Sequence, residues 1–279
     1  MKVIPTKAGE IQILKSGLCR LTAPNPGLMT GAGTNTYIIG EKNFAVIDPG
    51  PDVDQHIQQI LEFTEGNILW ILVTHTHQDH SPAVLSLAKA TGAQVLGISP
   101  PLDGHQDMTF SPHRELFDGE LLNSDEFELT VIHTPGHASN HLCYFHHQYN
   151  WLFSGDHIME GSTVLINPPD GNMGEYLNSM HKLTQKKIKA VAPGHGVIID
   201  NPYEVMDWII KHRLEREKKV LKSLKSNPNS KLSDLVKLVY KDVHESLYPL
   251  AERSLLAHLI KLSEDNLALN HNDRWEMIN

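Results

Sequence analysis

The segment His75-Thr76-His77-Gln78-Asp79-His80 contains four potential metal ligands within six residues. It follows residues 69–74, an apolar run with the composition of a buried strand. Alternating residues at the end of a strand point the same way, and the turn that follows brings Asp79 and His80 round to a second position. The spacing therefore makes two adjacent metal ions geometrically feasible at the mouth of this strand.

Three further segments each follow a short apolar run and end at or beside a potential ligand: Thr134-Pro135-Gly136-His137, Ser154-Gly155-Asp156 and Pro193-Gly194-His195-Gly196. Their glycines allow the backbone to approach a crowded centre. Taken singly, each segment is also compatible with an ordinary turn or with an aspartate that ends a strand. Together with the first segment, they indicate a metal centre.

The residue types define the chemistry of such a centre. Cys19 and Cys143 lie far apart in the sequence, so histidines and carboxylates must hold any metal. These ligands suit two zinc ions, and manganese or iron is tolerated. Two adjacent dications lower the pKa of a shared water to roughly 7 or below, which supplies a metal-bridging hydroxide at neutral pH. Hydrolysis by such a binuclear centre needs no serine or cysteine nucleophile.

The elements that position these segments alternate between strands and helices. Strands are predicted at residues 34–39, 44–48, 69–74, 94–98, 129–133, 151–154 and 190–193. Helices with an apolar face are predicted at residues 53–65, 81–91 and 173–187. Some neighbouring strands have no helix between them, so part of the sheet structure is expected to be antiparallel. The pattern predicts an α/β protein with two mixed sheets flanked by helices.

The pattern changes after Pro193. A long helix is predicted from residue 202, followed by shorter helices near 232–240 and 251–262 and by a hairpin formed by 267–269 and 275–278. Three helices and a hairpin resemble a winged helix. We therefore expect a catalytic domain at residues 1–200 and a helical, winged-helix-like domain at residues 201–279.

The composition limits the class of protein. The 279 residues are 40% hydrophobic, which excludes a disordered or collagen-like chain, and the formal net charge is −9. The part before residue 205 holds 11 Lys and Arg against 22 Asp and Glu, which disfavours broad electrostatic capture of nucleic acid. No run reaches the roughly 20 apolar residues of a membrane span, and residues 1–10 lack the layout of a secretory signal. We expect a cytoplasmic protein with no membrane partner.

The four ligand-bearing segments, in this order after Asp48-Pro49-Gly50, make the chain resemble the metallo-β-lactamase superfamily over most of residues 30–200. The resemblance implies an αββα sandwich that holds two metal ions. It also implies the ligands: His75, His77 and His137 for one metal, Asp79, His80 and His195 for the other, and Asp156 as a bridge between both. The histidine at the third position of the first segment favours the zinc hydrolases of the superfamily over its di-iron oxidoreductases.

Three other features resemble the β-lactamase-like protein 2 group more closely: Asn25-Pro26-Gly27 with Gly33-Thr34-Asn35-Thr36-Tyr37, Gly155-Asp156-His157 before Gly161-Ser162-Thr163, and the tail from His212-Arg213 to Ala257-His258-Leu259. Characterised members are endoribonucleases, so the resemblance implies cleavage of phosphodiester bonds in single-stranded RNA. Glyoxalase-II-type thioesterases share the TPGH and PGHG segments, which makes a small-molecule thioester or ester the alternative substrate. Weak β-lactamase activity is a further side reaction, and a nucleic-acid-binding protein with a structural metal is the non-enzymatic alternative.

Three residues are candidates for catalysis. Asp79 could orient the hydroxide and move its proton, Asp156 would hold both metals, and His157 either donates a proton to the leaving group or packs structurally. Asp48 could accept a hydrogen bond from a ligand histidine and so orient its ring. In the tail, the candidates to face the cleft are Arg213, Arg253, His258 and Lys261. A winged helix also serves packing or dimerisation, which leaves oligomer formation open.

Overall fold

The first sheet of the computed structural model, which describes residues 6–278, contains seven strands that lie side by side in chain order. The strands are β1 (Ile11–Lys15), β2 (Leu18–Thr22), β3 (Asn35–Ile39), β4 (Phe44–Ile47), β5 (Ile68–Leu72), β6 (Gln94–Gly97) and β7 (Arg114–Glu115). Strands β1 to β4 pair antiparallel, and β4 to β7 pair parallel. Residues 1–5 and 279 lie outside the described residues. They include the outer ends of the two predicted domains and half of residues 1–10, in which the sequence shows no secretory signal.

The second sheet contains five strands in the order β12-β11-β10-β9-β8. Their bounds are β8 (Leu121–Asn123), β9 (Glu128–His133), β10 (Leu142–His146), β11 (Trp151–Gly155) and β12 (Ala190–Pro193). Only β11 and β12 pair parallel, and the other neighbours pair antiparallel. Both sheets are therefore mixed, as the neighbouring strands without an intervening helix predicted.

The two sheets pack face to face, and helices cover their outer faces. Successive strand residues point to opposite faces, so each sheet contributes one set of apolar side chains to the central core and another to an outer core. In the central core, the rings of Tyr37 and Phe153 meet with centroids 5.0 Å apart. The covering helices are α1 (Asp54–Thr64) and α2 (Ala83–Thr91) on the first sheet, and α3 (Met173–Thr184) and the first half of α4 (Pro202–Ser226) on the second. These four layers form the αββα sandwich that was expected.

The C-terminal part has the winged-helix-like arrangement expected from its periodicity. It contains β13 (Ser230–Lys231), α5 (Leu232–Val239), a short 3-10 helix (Glu245–Leu247), α6 (Tyr248–Glu264), β14 (Ala268–His271) and β15 (Arg274–Met277). Strand β15 lies between β13 and β14 in a small antiparallel sheet. A separate apolar core, which includes Leu235, Leu255 and Trp275, holds this part together.

Helix α4 contributes to two cores. Met206 and Ile209 in its first half pack with α3 against the second sheet. Val220 and Leu224 in its second half pack with α5 and α6. The two parts of the chain therefore share a helix, and the boundary between residues 200 and 201 stays a prediction about sequence segments.

Strands β1 and β2 lie outside the apolar runs that indicate the other strands. Strand β1 is half-buried, and β2 contains Arg20, whose side chain is fully buried. The Arg20 guanidinium donates to Gln12 Oε1 at 3.0 Å and to the carbonyl oxygen of Gly196 at 3.1 Å. A charged residue inside a strand interrupts the apolar run, and one of its acceptors, Gly196, is distant in the sequence, so the strand escapes a search for local pattern.

The helices that flank the sheets have one buried and one exposed side. Over residues 6–278, none of the helices combines the length and the apolar character that crossing a membrane requires.

Candidate metal centre

The candidate site lies where strands of both sheets end. Strand β5 leads into the loop that carries the first segment, and β9, β11 and β12 each lead into one of the other segments. The structure brings together the seven side chains that the sequence nominates as ligands: His75, His77, Asp79, His80, His137, Asp156 and His195. These ends come from four strands in two sheets, so only the tertiary fold assembles them.

His75, His77 and His137 form the first group, with one ring nitrogen of each within 4.8 Å of the others. His137 Nε2 lies 3.0 Å from His77 Nδ1. The rings of His75 and His77 meet edge to face, with centroids 4.5 Å apart. Three converging imidazole nitrogens match a metal site in donor type and number.

Asp79, His80 and His195 form the second group. Asp79 Oδ2 lies 3.2 Å from His195 Nε2 and 3.6 Å from His80 Nε2. Both imidazole rings are buried, whereas Asp79 is 28% exposed. The second group therefore presents its carboxylate to solvent and keeps its histidines inside.

Asp156 lies between the two groups. Its Oδ1 atom is 3.4 Å from His80 Nε2 and 3.3 Å from His195 Nε2. Its Oδ2 atom is 3.7 Å from His137 Nε2, on the side of the first group. One carboxylate thus faces both groups, which is the arrangement that a pair of adjacent cations requires of a shared ligand.

Backbone carbonyls determine which ring nitrogen carries the hydrogen in two of the histidines. The carbonyl oxygen of Leu165 accepts from His137 Nδ1 at 2.7 Å, and that of Gly33 accepts from His195 Nδ1 at 3.2 Å. Since a carbonyl can only accept, Nδ1 carries the hydrogen in both rings. Nε2 of each ring lies on the side of Asp156 and is then the nitrogen available to a metal ion.

Asp48 orients two more rings from a position directly after β4. Its Oδ1 atom accepts from the Thr74 backbone N–H at 2.7 Å, and its Oδ2 atom accepts from Thr74 Oγ1 at 2.7 Å and from His80 Nδ1 at 2.9 Å. Because the hydroxyl hydrogen of Thr74 goes to Asp48, its Oγ1 atom accepts from His75 Nδ1 at 3.1 Å. The hydrogen bond from a ligand histidine that the sequence suggested for Asp48 is present in the structure.

Several buried atoms of the cluster lack a hydrogen-bond partner among the described residues: His75 Nε2, His80 Nε2 and Asp156 Oδ1. A buried polar atom without a partner is costly, and these three all belong to the candidate ligand groups. Imidazole nitrogens and carboxylate oxygens suit zinc, manganese or iron. The side chains therefore fit a pair of divalent cations.

Burial and charge divide the histidines of the site into two sets. Burial, reinforced by His137, lowers the pKa of His77 to about 3, so this ring is neutral at neutral pH. Burial also opposes the charged form of His195, but Asp156 and Asp79 outweigh it and raise the pKa to about 10. The carboxylates around the second group thus favour positive charge at this position, which a bound cation would equally satisfy.

Two glycines permit the close approach of backbone and ligands. A Cβ atom on Gly194 would lie 2.6 Å from Asp156 Oδ1 and 2.8 Å from the His80 ring. Gly155 has a φ of +46°, and a Cβ atom there would lie 2.5 Å from Thr74 Oγ1. The expectation that glycines beside the ligands relieve crowding is therefore met at these two positions.

The cluster opens into a cavity of about 540 Å³ between the sandwich and the C-terminal part. Much of its wall is apolar: Leu28, Met29, Met159, Val164, Leu165, Leu247 and Leu250. Asp103 and Asp170 add two carboxylates outside the candidate ligands. Among the described residues that line this cavity there is neither a lysine nor an arginine.

His157 lies apart from this cavity. Its side chain is fully buried, with the ring of Tyr176 at 4.7 Å and that of His141 at 5.7 Å between centroids. Burial, together with His137, lowers its pKa to about 3. A proton-donor role for His157 stays a prediction, and this position favours structural packing instead.

None of the four tail residues nominated from the sequence lines this cavity, although two of them contact residues that do. Arg213 donates to the carbonyl oxygen of Val164, Arg253 donates to Asn167 Oδ1 at 3.3 Å, and Lys261 pairs with Glu217 at 3.0 Å. His258 is fully buried. The tail reaches the cavity through Leu247 and Leu250, which sequence reasoning missed because apolar residues near a helix start resemble ordinary core residues.

Comparison with known proteins identifies the family. Residues 29–195 match the Metallo-beta-lactamase superfamily, and residues 232–275 match the Beta-lactamase associated winged helix domain. The chain therefore belongs to the metallo-β-lactamase superfamily. This is a family of hydrolases whose fold typically binds two metal ions, and the two His and Asp groups described above are candidates to hold them.

Similar proteins cover most of the chain. A Beta-lactamase-like protein 2 homolog from Drosophila melanogaster is 31% identical, over 90% of this chain and 89% of its own length. An atrochrysone carboxyl ACP thioesterase from Aspergillus chevalieri is 28% identical, over 78% of this chain and 69% of its own length. The crystal structure of a Beta-lactamase domain protein from Burkholderia ambifaria is 18% identical with a TM-score of 0.85, over 99% of this chain and 96% of that chain. The last comparison shows that the fold is shared along the whole chain.

Proposed function

We propose that the protein is a metal-dependent hydrolase whose two divalent cations are held by the predicted ligands: His75, His77 and His137 for one, Asp79, His80 and His195 for the other, and Asp156 for both. The observation that carries this proposal is the convergence of these side chains beside one cavity, which five of them line, together with buried atoms that have no other partner. Zinc is the proposed metal because imidazole and carboxylate without thiolate suit it, with manganese or iron as alternatives.

The chain's own residues would orient the reactants. When bound, two cations supply an activated water nucleophile and polarise the scissile bond. Asp79 is more exposed to the cavity than Asp156, at 28% against 13%. Burial raises the pKa of Asp79, but His80 and His195 outweigh it and lower the pKa to about 2. The carboxylate is therefore charged at neutral pH and can accept a hydrogen bond from a water molecule in the cavity, which orients that water for attack.

For the substrate we propose an acyl thioester or a related ester. The apolar wall of the cavity suits an uncharged acyl or carrier arm. A phosphodiester backbone is usually recognised by lysine and arginine, whereas the described lining residues contain neither and add Asp103 and Asp170. The similarity to a protein named as an ACP thioesterase supports the same class. The sequence resemblance favoured single-stranded RNA over a thioester, and the lining of the cavity leads us to reverse that order.

Single-stranded RNA is the second candidate substrate. What favours it is the similarity to a Beta-lactamase-like protein 2 homolog over 90% of the chain, together with the winged helix domain. Lys218 and Lys222 on α4 lie outside the cavity and could contact phosphates there. Cleavage that depends on such contacts would weaken steeply with added salt.

Three further sequence predictions stay proposals. These are a cytoplasmic location, a division into domains at residues 1–200 and 201–279, and weak β-lactamase activity as a side reaction. Assembly into an oligomer is left open. The non-enzymatic alternative, a nucleic-acid-binding protein with a structural metal, is disfavoured because a structural site is closed, whereas five of the candidate ligands line a cavity: His77, Asp79, His137, Asp156 and His195.

The proposal is tested by hydrolysis assays on chelator-stripped protein reloaded with zinc. The substrates are an acyl thioester, single-stranded RNA and a chromogenic β-lactam, and the variants are Asp156→Ala and the control Asp103→Asn. We expect thioester hydrolysis that Asp156→Ala lowers by about 100-fold or more. Asp103→Asn changes another carboxylate of the same cavity and should leave zinc binding intact. RNA cleavage without thioester turnover would contradict the proposed substrate, and no hydrolysis by the zinc-loaded protein would contradict the function.

A further inference from the structure

A second pocket of about 330 Å³ adjoins the metal cavity on the side of the C-terminal part. The two share one wall, formed by Met29, residues 163–165, Leu247 and Leu250. The second pocket is also lined by Arg213, Arg216, Tyr240 and Ser254. A ligand bound at the metal cavity could therefore extend along the shared wall toward two guanidinium groups. We call this second pocket the arginine pocket.

Arg213 is a buried cation without a counter-charge. Its side chain is only 4% exposed, and within residues 6–278 no carboxylate oxygen lies within 4.0 Å of its guanidinium. One of its terminal nitrogens donates to the carbonyl oxygen of Val164, and the guanidinium lies 5.6 Å from the centre of the Tyr176 ring. Its Nε atom is buried and has no acceptor among the described residues.

Arg216 lies one turn further along α4 and lines the same pocket, but its charge has a partner within the chain. Its guanidinium donates to Asp242 Oδ1 at 2.9 Å and to the carbonyl oxygen of Val239 at 2.7 Å. It also lies 4.2 Å from the centre of the Tyr240 ring. The charge of Arg216 is therefore balanced within the chain, whereas that of Arg213 is not.

The lining of the arginine pocket adds no negative charge. Its described residues include His212, Arg213 and Arg216, but neither an aspartate nor a glutamate. A buried charge that lacks a partner is energetically costly, and burial correspondingly lowers the pKa of Arg213. An anion from outside the chain would supply the missing partner in a space that adjoins the candidate active site.

We propose that the arginine pocket binds an anionic group, a phosphate or a carboxylate, of the substrate whose scissile bond lies at the metal cavity. This inference rests on the proposed function for the identity of the substrate, but not for the binding of an anion. The apolar shared wall would contact the uncharged arm between the two ends. The substrate class is then an acyl thioester that carries an anionic end.

The first test compares thioesters that share one acyl group. S-acyl-N-acetylcysteamine has no anionic end, S-acylglutathione carries carboxylates, and acyl-coenzyme A carries phosphates. We expect Arg213→Met to lower kcat/KM by about 10-fold to 100-fold on at least one anionic thioester and by less than about 2-fold on the neutral one. Which anionic thioester loses most distinguishes a phosphate site from a carboxylate site. An equal loss on all three substrates, or no loss on any, would overturn the proposal.

Two further variants separate anion binding from folding and from overall charge. Ser254→Asp places a carboxylate in the pocket while Arg213 stays in place, and it should reproduce the selective loss. Lys225→Met removes one positive charge from an exposed position on the same helix, and it should behave like the unmodified protein. A Lys225→Met variant with the same selective loss would show that general charge, not the pocket, is responsible.

The second test does not depend on turnover. Inorganic phosphate and succinate are added separately at matched ionic strength. At least one of them should raise the thermal unfolding temperature of the zinc-loaded protein. The stabilisation should be absent in Arg213→Met and in Ser254→Asp and unchanged in Lys225→Met. No stabilisation by either anion would contradict the pocket even if thioesters are hydrolysed. Stabilisation without any thioester hydrolysis would support the pocket and contradict the proposed function.

Discussion

Asp48 accepts hydrogen bonds from three donors, two of them on Thr74 and one on His80. It does not reach the cavity, yet through these bonds it determines the ring orientation of two candidate ligands. An amide at this position has only one acceptor oxygen, and its NH₂ group would face a donor. The strength of metal binding therefore depends on a carboxylate that itself binds no metal.

The Asp48→Asn variant should bind zinc about 10-fold to 100-fold more weakly, with the larger loss in the group that contains His80. The measurement is a competition titration of the stripped protein against a chromogenic chelator. Asp52→Asn, at an exposed position four residues further on, is the matched control and should bind zinc like the unmodified protein. If Asp48→Asn binds both zinc ions as tightly as the unmodified protein does, the orientation of His80 does not depend on Asp48.

The positions of the candidate ligands could be predicted from the sequence. The residues that orient these ligands could be predicted only in part. Each candidate ligand follows a strand, and strand ends can be found from local apolar runs. Asp48 could be suggested because it also ends a strand, but its bond to His80 needs the pairing of β4 with β5. The missing partner of Arg213 could not be foreseen, because it depends on which carboxylates the whole fold leaves out of reach.

On the scale of elements, α1 is linked to the first sheet by a buried histidine. His56 Nε2 lies 2.9 Å from Thr36 Oγ1 on β3, and burial lowers the pKa of His56 to about 4. In the unfolded chain the pKa of a histidine is about 6.5. Between these values the unfolded state binds more protons than the folded state, so stability falls as the pH decreases from about 6.5 to about 4.

The His56→Gln variant should remove part of this pH dependence. The unfolding free energy of the unmodified protein, measured by denaturant titration, should drop by a contribution from His56 on the order of 2–3 kcal/mol between pH 7 and pH 4. In the variant the drop should be smaller, while the free energy at pH 7 changes little. An identical pH dependence in both proteins would mean that the pKa of His56 is the same in the folded and unfolded states. His105, which is exposed and outside the cores, is a suitable position for a control glutamine.

Elements with a clear local period were predicted close to their observed bounds, and those defined by pairing were not. Helix α3 was expected at residues 173–187 and is Met173–Thr184, and β12 was expected at residues 190–193 and is Ala190–Pro193. Strands β7 and β13 have two residues each, and their pairing with β6 and β15 defines them. Such strands carry no periodic signal of their own.

At the scale of the whole molecule, the C-terminal part is joined to the sandwich by α4 and contributes one wall of the cavity. Met206 and Ile209 fill the outer core of the second sheet, so a chain that ends at residue 200 would expose that core. Removing a buried Ile or Met side chain costs about 2–5 kcal/mol. The two segments are therefore expected to depend on each other for stability.

A chain of residues 1–200 should unfold at a lower temperature than the full chain and should aggregate in size-exclusion chromatography. A chain of residues 1–216 keeps Met206 and Ile209 and is the matched comparison, with an intermediate unfolding temperature. If residues 1–200 are monomeric and unfold at the temperature of the full chain, the first half of α4 does not belong to the core of the sandwich.

We propose that seven side chains from four strand ends hold a pair of metal ions, with Asp156 shared between them. The number of zinc ions per chain, counted by mass spectrometry after the stripped protein is reloaded and dialysed, tests this arrangement. We expect two ions per chain in the unmodified protein and one or none in Asp156→Ala, with Asp103→Asn unchanged. Fewer than two ions in the unmodified protein, or two ions retained by Asp156→Ala, would contradict it.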